Sequence, residues 1–467
     1  MKKIKVWITL VLLITIISGC GSAPASSSSS TEEASSPEPT SEAVTPETKT
    51  IGGELEVAAF SNGDLYDDFF ETAVKEFNAL YPDCKVTLVT SANIEEQMRP
   101  RFVSGNAPDI YFMGGNANMD EAAFTAQGML MDLTEWFETA EAIGYDGLIK
   151  DNMGAKVFNK TDKGIFGMAL GYGGWGYLYN VNMAKEYGWE PPKNWAEFEA
   201  LAKTIKETTD IYPIIHQGTA PDYFGFGLVQ GGIATDGGKE ALLAIGNLEE
   251  NAYDQPAVKS TWDKLQEIYE NDWSPQYCMS LSPVEAQMEW LQGKAFILPC
   301  GNWIEGEMAE NWPEGFKAGF MYSCMYDDAS AMPQIIGYGA RVSVSANTKN
   351  PDAALAFMQV LFSKNMTRKV AEDFGTVPCM RDSLDGFEFP NSTKELMDIM
   401  NRGEAEMIVE IGGQGNFQPY AELSDADKQN VAAVLSGEKT ADQARKDMNG
   451  VLAEIAGNSS IEKISIS

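Results

Sequence analysis

Leu55-Glu56-Val57-Ala58-Ala59-Phe60-Ser61-Asn62-Gly63-Asp64, read on to Val89, decides the fold class of this 467-residue chain. Leu55, Val57 and Ala59 alternate as in a strand, and Ser61 to Asp64 turns the chain. From there Phe69, Phe70, Ala73, Val74, Phe77 and Leu80 follow the 3.6-residue period of a helix. Tyr81-Pro82 stops that helix, and Val86-Thr87-Leu88-Val89 is a second strand-forming run. Strand, helix and strand in this order make a βαβ unit. Working outward, Asn93 with Glu96 predicts a capping-box start, and Pro100 predicts a kink or an end to that helix. Asp109 to Met113 reads as a third strand. Asn194 and Glu197 predict the start of a helix whose Trp195, Phe198, Leu201, Ala202 and Ile205 share a face. Arg341 to Ser345 reads as a strand, and Asn350-Pro351 opens a helix with Ala354, Leu355, Met358, Leu361 and Phe362 inward. The body is α/β throughout, and no internal repeat interrupts it.

Before this body lies a different kind of chain. Lys2, Lys3 and Lys5 precede a short apolar run, Val6 to Ile17, then Ser18-Gly19-Cys20. A basic stretch, a short apolar stretch and small residues before a cut read as a secretory signal over residues 1–19. The run falls short of the roughly 20 residues that a membrane-spanning helix needs. The thirty residues from Gly21 to Thr50 hold nine Ser, five Thr, five Glu, four Ala and four Pro, and no aromatic. Such a segment buries too little apolar surface to offset its ordering entropy. Residues 20–50 are therefore expected to form a tether, roughly 30 Å long as a random coil.

Composition narrows the chemistry. The chain has 68 Asp+Glu against 34 Lys+Arg, a formal net charge of −34. Nucleic-acid binding needs clustered Lys and Arg facing phosphates, so the balance argues against it. His216 is the only histidine, which excludes multi-histidine metal sites and disfavours Ser-His-Asp catalysis. His216 follows the strand-like Ile214-Ile215 and reads as structural. The body's cysteines, Cys84, Cys278, Cys300, Cys324 and Cys379, are odd in number and show no C-x-x-C spacing, so buried unpaired thiols are expected.

Several motifs tempt and fail. Gly171-Tyr172-Gly173-Gly174-Trp175-Gly176 satisfies G-x-G-x-x-G, but a strand-like Tyr177-Leu178-Tyr179 follows where a dinucleotide site needs a helix N-terminus. Gly231 to Lys239 lacks the phosphate-loop spacing and reads as a surface loop. Glu305/Glu307 and Asp327/Asp328 could pair as a glycosidase acid and nucleophile, but nothing in the sequence separates them from solvated surface acids. No cofactor, metal or catalytic group is expected.

The remaining motifs fall in one order. Lys75 to Pro82 with Val86, Gly105-Asn-Ala-Pro108-Asp109-Ile110, and Gly128-Met-Leu130-Met-Asp132-Leu133 come first. Gly176-Tyr-Leu-Tyr179-Asn180 with Pro191-Pro192-Lys193-Asn194-Trp195-Ala-Glu197-Phe198 is the strongest stretch. Gln292-Gly293-Lys294-Ala295 with Gly301-Asn302-Trp303 follows, then Tyr338-Gly339-Ala-Arg341-Val-Ser343-Val and Asn347 to Ala354. Together these resemble the extracellular solute-binding proteins of ABC sugar importers, over roughly Glu54 to Pro378. The match to the Y-Y-N … P-P-K-T-W-x-E-F signature departs by Leu178 for Tyr and Asn194 for Thr. The ending at Cys20 likewise resembles the lipobox of bacterial lipoproteins, in which that cysteine carries the lipid.

The resemblance implies a two-lobed α/β fold with an interlobe cleft and crossing hinge segments near 169–173, 337–340 and 376–379. It places one lobe at 51–170 plus 338–377 and the other at 171–337 plus 378–467. It implies capture of a mono- or oligosaccharide by lobe closure and delivery to permease transmembrane subunits. The protein would be a monomer, lipid-anchored through Cys20 to the outer face of the bacterial cytoplasmic membrane. A non-sugar solute, a sensor-kinase partner and a polysaccharide-active enzyme are the alternatives. Sugars present hydroxyl edges and apolar C–H faces, so a site for them needs aromatic platforms and matched polar groups. By position, Trp303 matches the family's ligand-stacking tryptophan. Asn62 and Asp64 fall in the turn after the first strand, and Asn116 follows the third. Tyr172 and Trp175 flank the first crossing, Tyr338 and Arg341 the second. Tyr223 aligns with an aromatic-rich loop, and Phe417 sits in the glycine-rich 412–417 stretch. Trp189 and Trp195 are assigned to core or helix start.

Overall fold

The computed structural model describes residues 51–61, 64–91, 93–113, 121–161, 163–381, 384, 386–408, 419–461 and 463. Cys20 and the whole of the expected tether lie outside the described residues.

The first sheet orders its strands Cys84–Ser91, Gly53–Phe60, Ile110–Met113, Arg341–Val344, Gly164–Ala169 and Phe158–Thr161. Strands β1 (Gly53–Phe60) and β2 (Cys84–Ser91) are parallel, with Val57 opposite Leu88, and β3 (Ile110–Met113) is parallel on the other side of β1. The helix Asp64–Leu80 makes the crossover, as its periodicity requires, and Phe69, Phe70, Ala73 and Phe77 are all fully buried. Burying each such phenylalanine is worth about 1.5–3 kcal/mol. Later chain completes the sheet. β4 (Phe158–Thr161) and β5 (Gly164–Ala169) form an antiparallel pair, and β11 (Arg341–Val344) inserts antiparallel between β3 and β5.

The second sheet is built around one long strand. β6 (Gly171–Asn180) pairs with β8 (Ala295–Gly301), β9 (Ala318–Met321), β10 (Gln334–Tyr338) and β12 (Val377–Pro378), while β7 (Tyr212–Ile214) and β13 (Glu406–Ile408) close the edges. The whole Gly171–Gly176 stretch lies inside β6, so no helix N-terminus exists there to hold a pyrophosphate. The chain passes between sheets at Leu170, and again between Tyr338 and Arg341. It then touches β6 through β12, but Cys379 and Met380 still pack in the first core, with Cys379 N–H donating to the Leu170 carbonyl at 2.9 Å. The final passage follows Met380, later than the 376–379 crossing that the resemblance implied.

Local details depart from the sequence in two places. Of the two outcomes expected at Pro100, the helix Ile94–Val103 does not end there but continues to Val103, because the carbonyl left without a donor belongs to exposed Glu96, where water can replace the bond. Its Asn93 side chain makes no cap, and the Asn93 N–H donates to Ser91 Oγ instead. The expected loop at Gly231–Lys239 is part of the helix Gln230–Gly246, kinked at Gly238, where φ is 72°. Gly231 and Gly232 are buried there, since a Cβ would lie 2.9 Å from Ser323 Cβ and 2.6 Å from the Met325 carbonyl oxygen. The glycines serve close approach of the helix to the Ser323–Met325 segment rather than a turn. The Asn194 cap is present as expected, its Oδ1 accepting from the Glu197 N–H at 3.1 Å. All five body cysteines are buried and unpaired.

Candidate functional site

β6 carries Trp175 in its middle, opposite Gly301 of β8 and Ile336 of β10. Two residues beyond Gly301, Trp303 folds back over it, and any Cβ at position 301 would fall inside the Trp303 ring. Trp175 and Trp303 therefore meet edge to face at 4.4 Å. Tyr338, at the end of β10, packs on Trp303 at 4.7 Å, and Tyr223 packs on Trp175 at 5.3 Å. Tyr223 lies in the short helix Asp222–Phe224, which continues into a single wide turn, Gly225–Val229, so Gly227 passes 3.1 Å from Trp175 Cβ at the nearest possible side-chain position. Asn302 fixes the same corner. It is fully buried, accepting from the Gly174 N–H at 3.0 Å and donating to Thr393 Oγ1 at 2.9 Å.

Four of the sequence-derived candidates thus share one aromatic group: Trp175, Tyr223, Trp303 and Tyr338. Trp175 is 5% exposed, whereas Trp303, Tyr223 and Tyr338 remain half-buried. Tyr172 stands apart. It pairs with Val377 of β12 and packs on the first core, and burial raises its phenol pKa. Arg341 opens β11 and is buried in the first sheet, outside the aromatic group. Asp64 opens the first helix, and its side chain lies outside the described residues, as do Asn62, Asn116 and Phe417. Trp189 and Trp195 are core residues, 7% and 6% exposed.

Two further groups complete the site that sequence reading missed. Glu307 sits four residues after Trp303, at the end of the short helix Ile304–Glu307, so the i, i+4 spacing returns it to the Trp303 side. It is half-buried rather than solvated, and its Oε2 accepts from Gln287 Nε2 at 2.9 Å. Burial raises its pKa above the usual carboxylate value, against the lowering effect of hydrogen bonds from Gln287 and Trp303. The second is Tyr66, near the start of the first helix, packed against Phe374 at 4.6 Å. Burial and then the Glu307 charge push the Tyr66 phenol up, and the same two causes act on Tyr223. Tyr338 is pushed up by burial, with Tyr66 and Glu307 adding to it. The carboxylate thus lies among phenols from both halves. The i+4 step from a G-x-W motif could have pointed to Glu307, whereas Tyr66 needed the tertiary fold.

Glu305 and Glu307 diverge: Glu305 accepts from the Ser392 N–H and Oγ at 2.8 and 2.7 Å. Asp327 lies elsewhere, paired with Lys264 at 3.0 Å, and Asp328 accepts from Ser330. His216 is buried, edge to face with Phe224 at 5.5 Å, and burial lowers its pKa to about 4. Among the described residues no group of three or more His, Cys, Asp or Glu is placed to hold a metal ion.

Comparisons with known proteins bear on this geometry. Residues 72–399 match the family described as bacterial extracellular solute-binding protein. The chain is 27% identical over 413 residues to the diacetylchitobiose binding protein NgcE of Streptomyces coelicolor, covering 84% of this chain and 85% of that one. Among solved structures, a chitin oligosaccharide binding protein superposes with a TM-score of 0.71 at 18% identity, covering 86% of this chain and 98% of the other. The solute-binding protein RafE in complex with raffinose superposes with a TM-score of 0.66 at 19% identity, covering 86% and 99%. The fold is thus the two-lobed architecture of periplasmic binding proteins, and this chain belongs to the bacterial extracellular solute-binding protein family.

Proposed function

We propose that this protein captures a mono- or oligosaccharide between its two halves and delivers it to the transmembrane subunits of an ABC importer. The observation that carries the reading is the half-open aromatic group of Tyr223, Trp303 and Tyr338 against Trp175, with Glu307 beside it. Rings of this kind cover the C–H face of a pyranose, and the carboxylate accepts from its hydroxyls. The names of the relatives, which bind chitin-derived and raffinose-type saccharides, support the same class. Tyr172 and Arg341, at the crossings, serve hinge packing in this reading. Asp64, Asn62, Asn116 and Phe417 remain candidates for ligand contact.

The lobes we propose are 51–170 with 340–380 and the rest of the body, hinged at the crossings. Closure requires that the ligand contact the closed state better than the open one. Divergence of Glu305 from Glu307 supports binding without hydrolysis, since hydrolysis needs two carboxyl groups facing one bond. A lipid on Cys20 and the 20–50 tether would hold the body at the outer membrane face. Mass spectrometry of the membrane-extracted protein tests the anchor, and an unmodified Cys20 would remove it. Isothermal titration with diacetylchitobiose, raffinose, stachyose and xylo-oligosaccharides tests the function. Heat with one of them supports it. Silence with all, and binding of a polyamine or ferric ion instead, would overturn the substrate class and spare the fold.

A further inference from the structure

We infer that Glu307 is a ligand-binding carboxylate that selects neutral saccharides over uronic-acid ones and couples their capture to pH. The inference rests on the saccharide reading above and adds a residue that the family motif does not supply. Its first support is geometric. Glu307 is held at one oxygen by Gln287, and Gln287 is itself fully buried, so the carboxylate cannot swing away without leaving that amide unpaired. Among the described residues no lysine or arginine forms an ion pair with Glu307. A half-buried carboxylate without a cation is costly unless strong donors reach it.

The second support is what surrounds it. Among the described residues the buried Tyr338 hydroxyl finds no hydrogen-bond partner, and neither does the Gln287 side-chain oxygen. The aromatic edges of Trp303 and Tyr223 close the apolar sides. A sugar ring seated on these edges brings paired hydroxyl donors to a carboxylate, which charge-assisted bonding favours. A uronate in that position would set like charges together in a poorly solvated site.

The proton linkage follows from the groups on every side. Tyr66 on the first helix, Tyr223 on the helix Asp222–Phe224, Cys300 on β8 and Tyr338 on β10 all lie near enough to feel the Glu307 charge. On the remaining side, a Cβ on Gly306 would meet the Phe374 and Asp373 carbonyls at 3.7 and 3.8 Å, and the Asp373 carboxyl there interacts with Lys369, Asp68 and Glu372. Glu305 occupies the other face of its own short helix. Burial makes ionisation of Glu307 harder in the free protein, and ligand hydroxyls make it easier in the complex. Its pKa is raised when empty and falls on binding, so capture releases a proton and weakens as pH drops through the raised value.

The experiment is titration of the full protein and of Glu307→Gln with whichever of diacetylchitobiose, raffinose, stachyose or xylotriose binds, at pH 7.5 and at pH 5. A glucuronic-acid-substituted xylo-oligosaccharide serves as the acidic probe. Glu307→Gln keeps the shape and an acceptor for Gln287, so the fold is preserved and thermal melting checks it. We expect about tenfold weaker binding for the variant at pH 7.5, loss of the wild-type pH dependence, and a narrowed gap between neutral and acidic probes. Variant affinity and pH profile equal to wild type would overturn the assignment while leaving saccharide capture intact. Failure of every saccharide to bind the wild-type protein would overturn it together with the reading beneath it. If Glu307→Gln alone fails to fold, Glu307→Asp, which keeps the charge and shortens the reach, must keep the pH dependence while losing affinity.

Discussion

Trp195, Phe198 and Trp273 meet at 4.9 to 5.9 Å, much as Trp175, Tyr223, Trp303 and Tyr338 meet at 4.4 to 6.3 Å, and both groups belong to the second half. They differ in what is left over. In the first group Trp273 and Phe198 are 2% and 1% exposed, and Trp195 donates its indole N–H to Glu267 at 2.8 Å. In the second, three rings stay half-open, and among the described residues the Tyr338 hydroxyl finds no partner and Glu307 no cation. Aromatic content alone does not distinguish a core from a platform. Unfinished polar bonding beside open rings does, because a polar group left unpaired at an open site can be completed by what binds there.

The largest expected effect separates the two groups on stability. Trp273→Ala removes a ring sealed inside the core and should cost about 3–5 kcal/mol of unfolding free energy, read by chemical denaturation. The folded fraction should bind ligand as the parent does. A large fall in affinity with little loss of stability would mean that the sealed group is part of the site.

Next comes His216, which abuts Phe224 beside Tyr223. Its pKa is about 4 in the fold, below the unfolded value near 6.5. A base with a depressed pKa favours the fold while neutral, so its contribution is whole above pH 6.5. It is lost as pH falls from 6.5 through 4, to a total of about 3 kcal/mol. His216→Phe should flatten that part of the stability–pH curve. A curve with the same slope in the variant would move the effect to the carboxylates.

Trp303→Ala should do the reverse of Trp273→Ala, weakening ligand binding about 100-fold while shifting the melting temperature only slightly. Gly301→Ala sharpens the same point, because the new methyl must displace the Trp303 ring from its seat. About tenfold weaker binding is expected, and an unchanged affinity would mean that the ring's position does not matter.

Much of this was legible in sequence, for physical reasons that differ by residue. The βαβ unit declared itself because strand and helix periods change at Phe60 and Leu80, where the structure also changes. Trp175, Tyr223, Trp303 and Tyr338 were nominated one by one, and their meeting in one group is a property of β6 pairing with both β8 and β10. Glu307 looked like any of 68 acids, because burial is not a local property of sequence. Gly231 and Gly232 were misread for a similar reason. Glycine marks either a turn or a close approach, and only the Ser323–Met325 segment, lying 2.6 to 2.9 Å from the absent side chains, decides which.

The smallest effect tests whether the sealed group is sealed by its hydrogen bond. Glu267→Ala removes the acceptor of the Trp195 indole N–H. A neutral buried donor left bare costs about 1–3 kcal/mol. Glu267 also lines an open surface groove of about 360 Å³ with Trp195, Ser260 and Lys264, so water can reach the vacated position and hold the cost near 1 kcal/mol. Glu267→Gln keeps an oxygen acceptor and should recover most of that loss. Denaturation of the two variants checks the pair, with ligand affinity unchanged in both. Equal loss in both variants would show that the carboxylate's charge, rather than its acceptor, holds Trp195. The sealed group would then depend on electrostatics as the open one does.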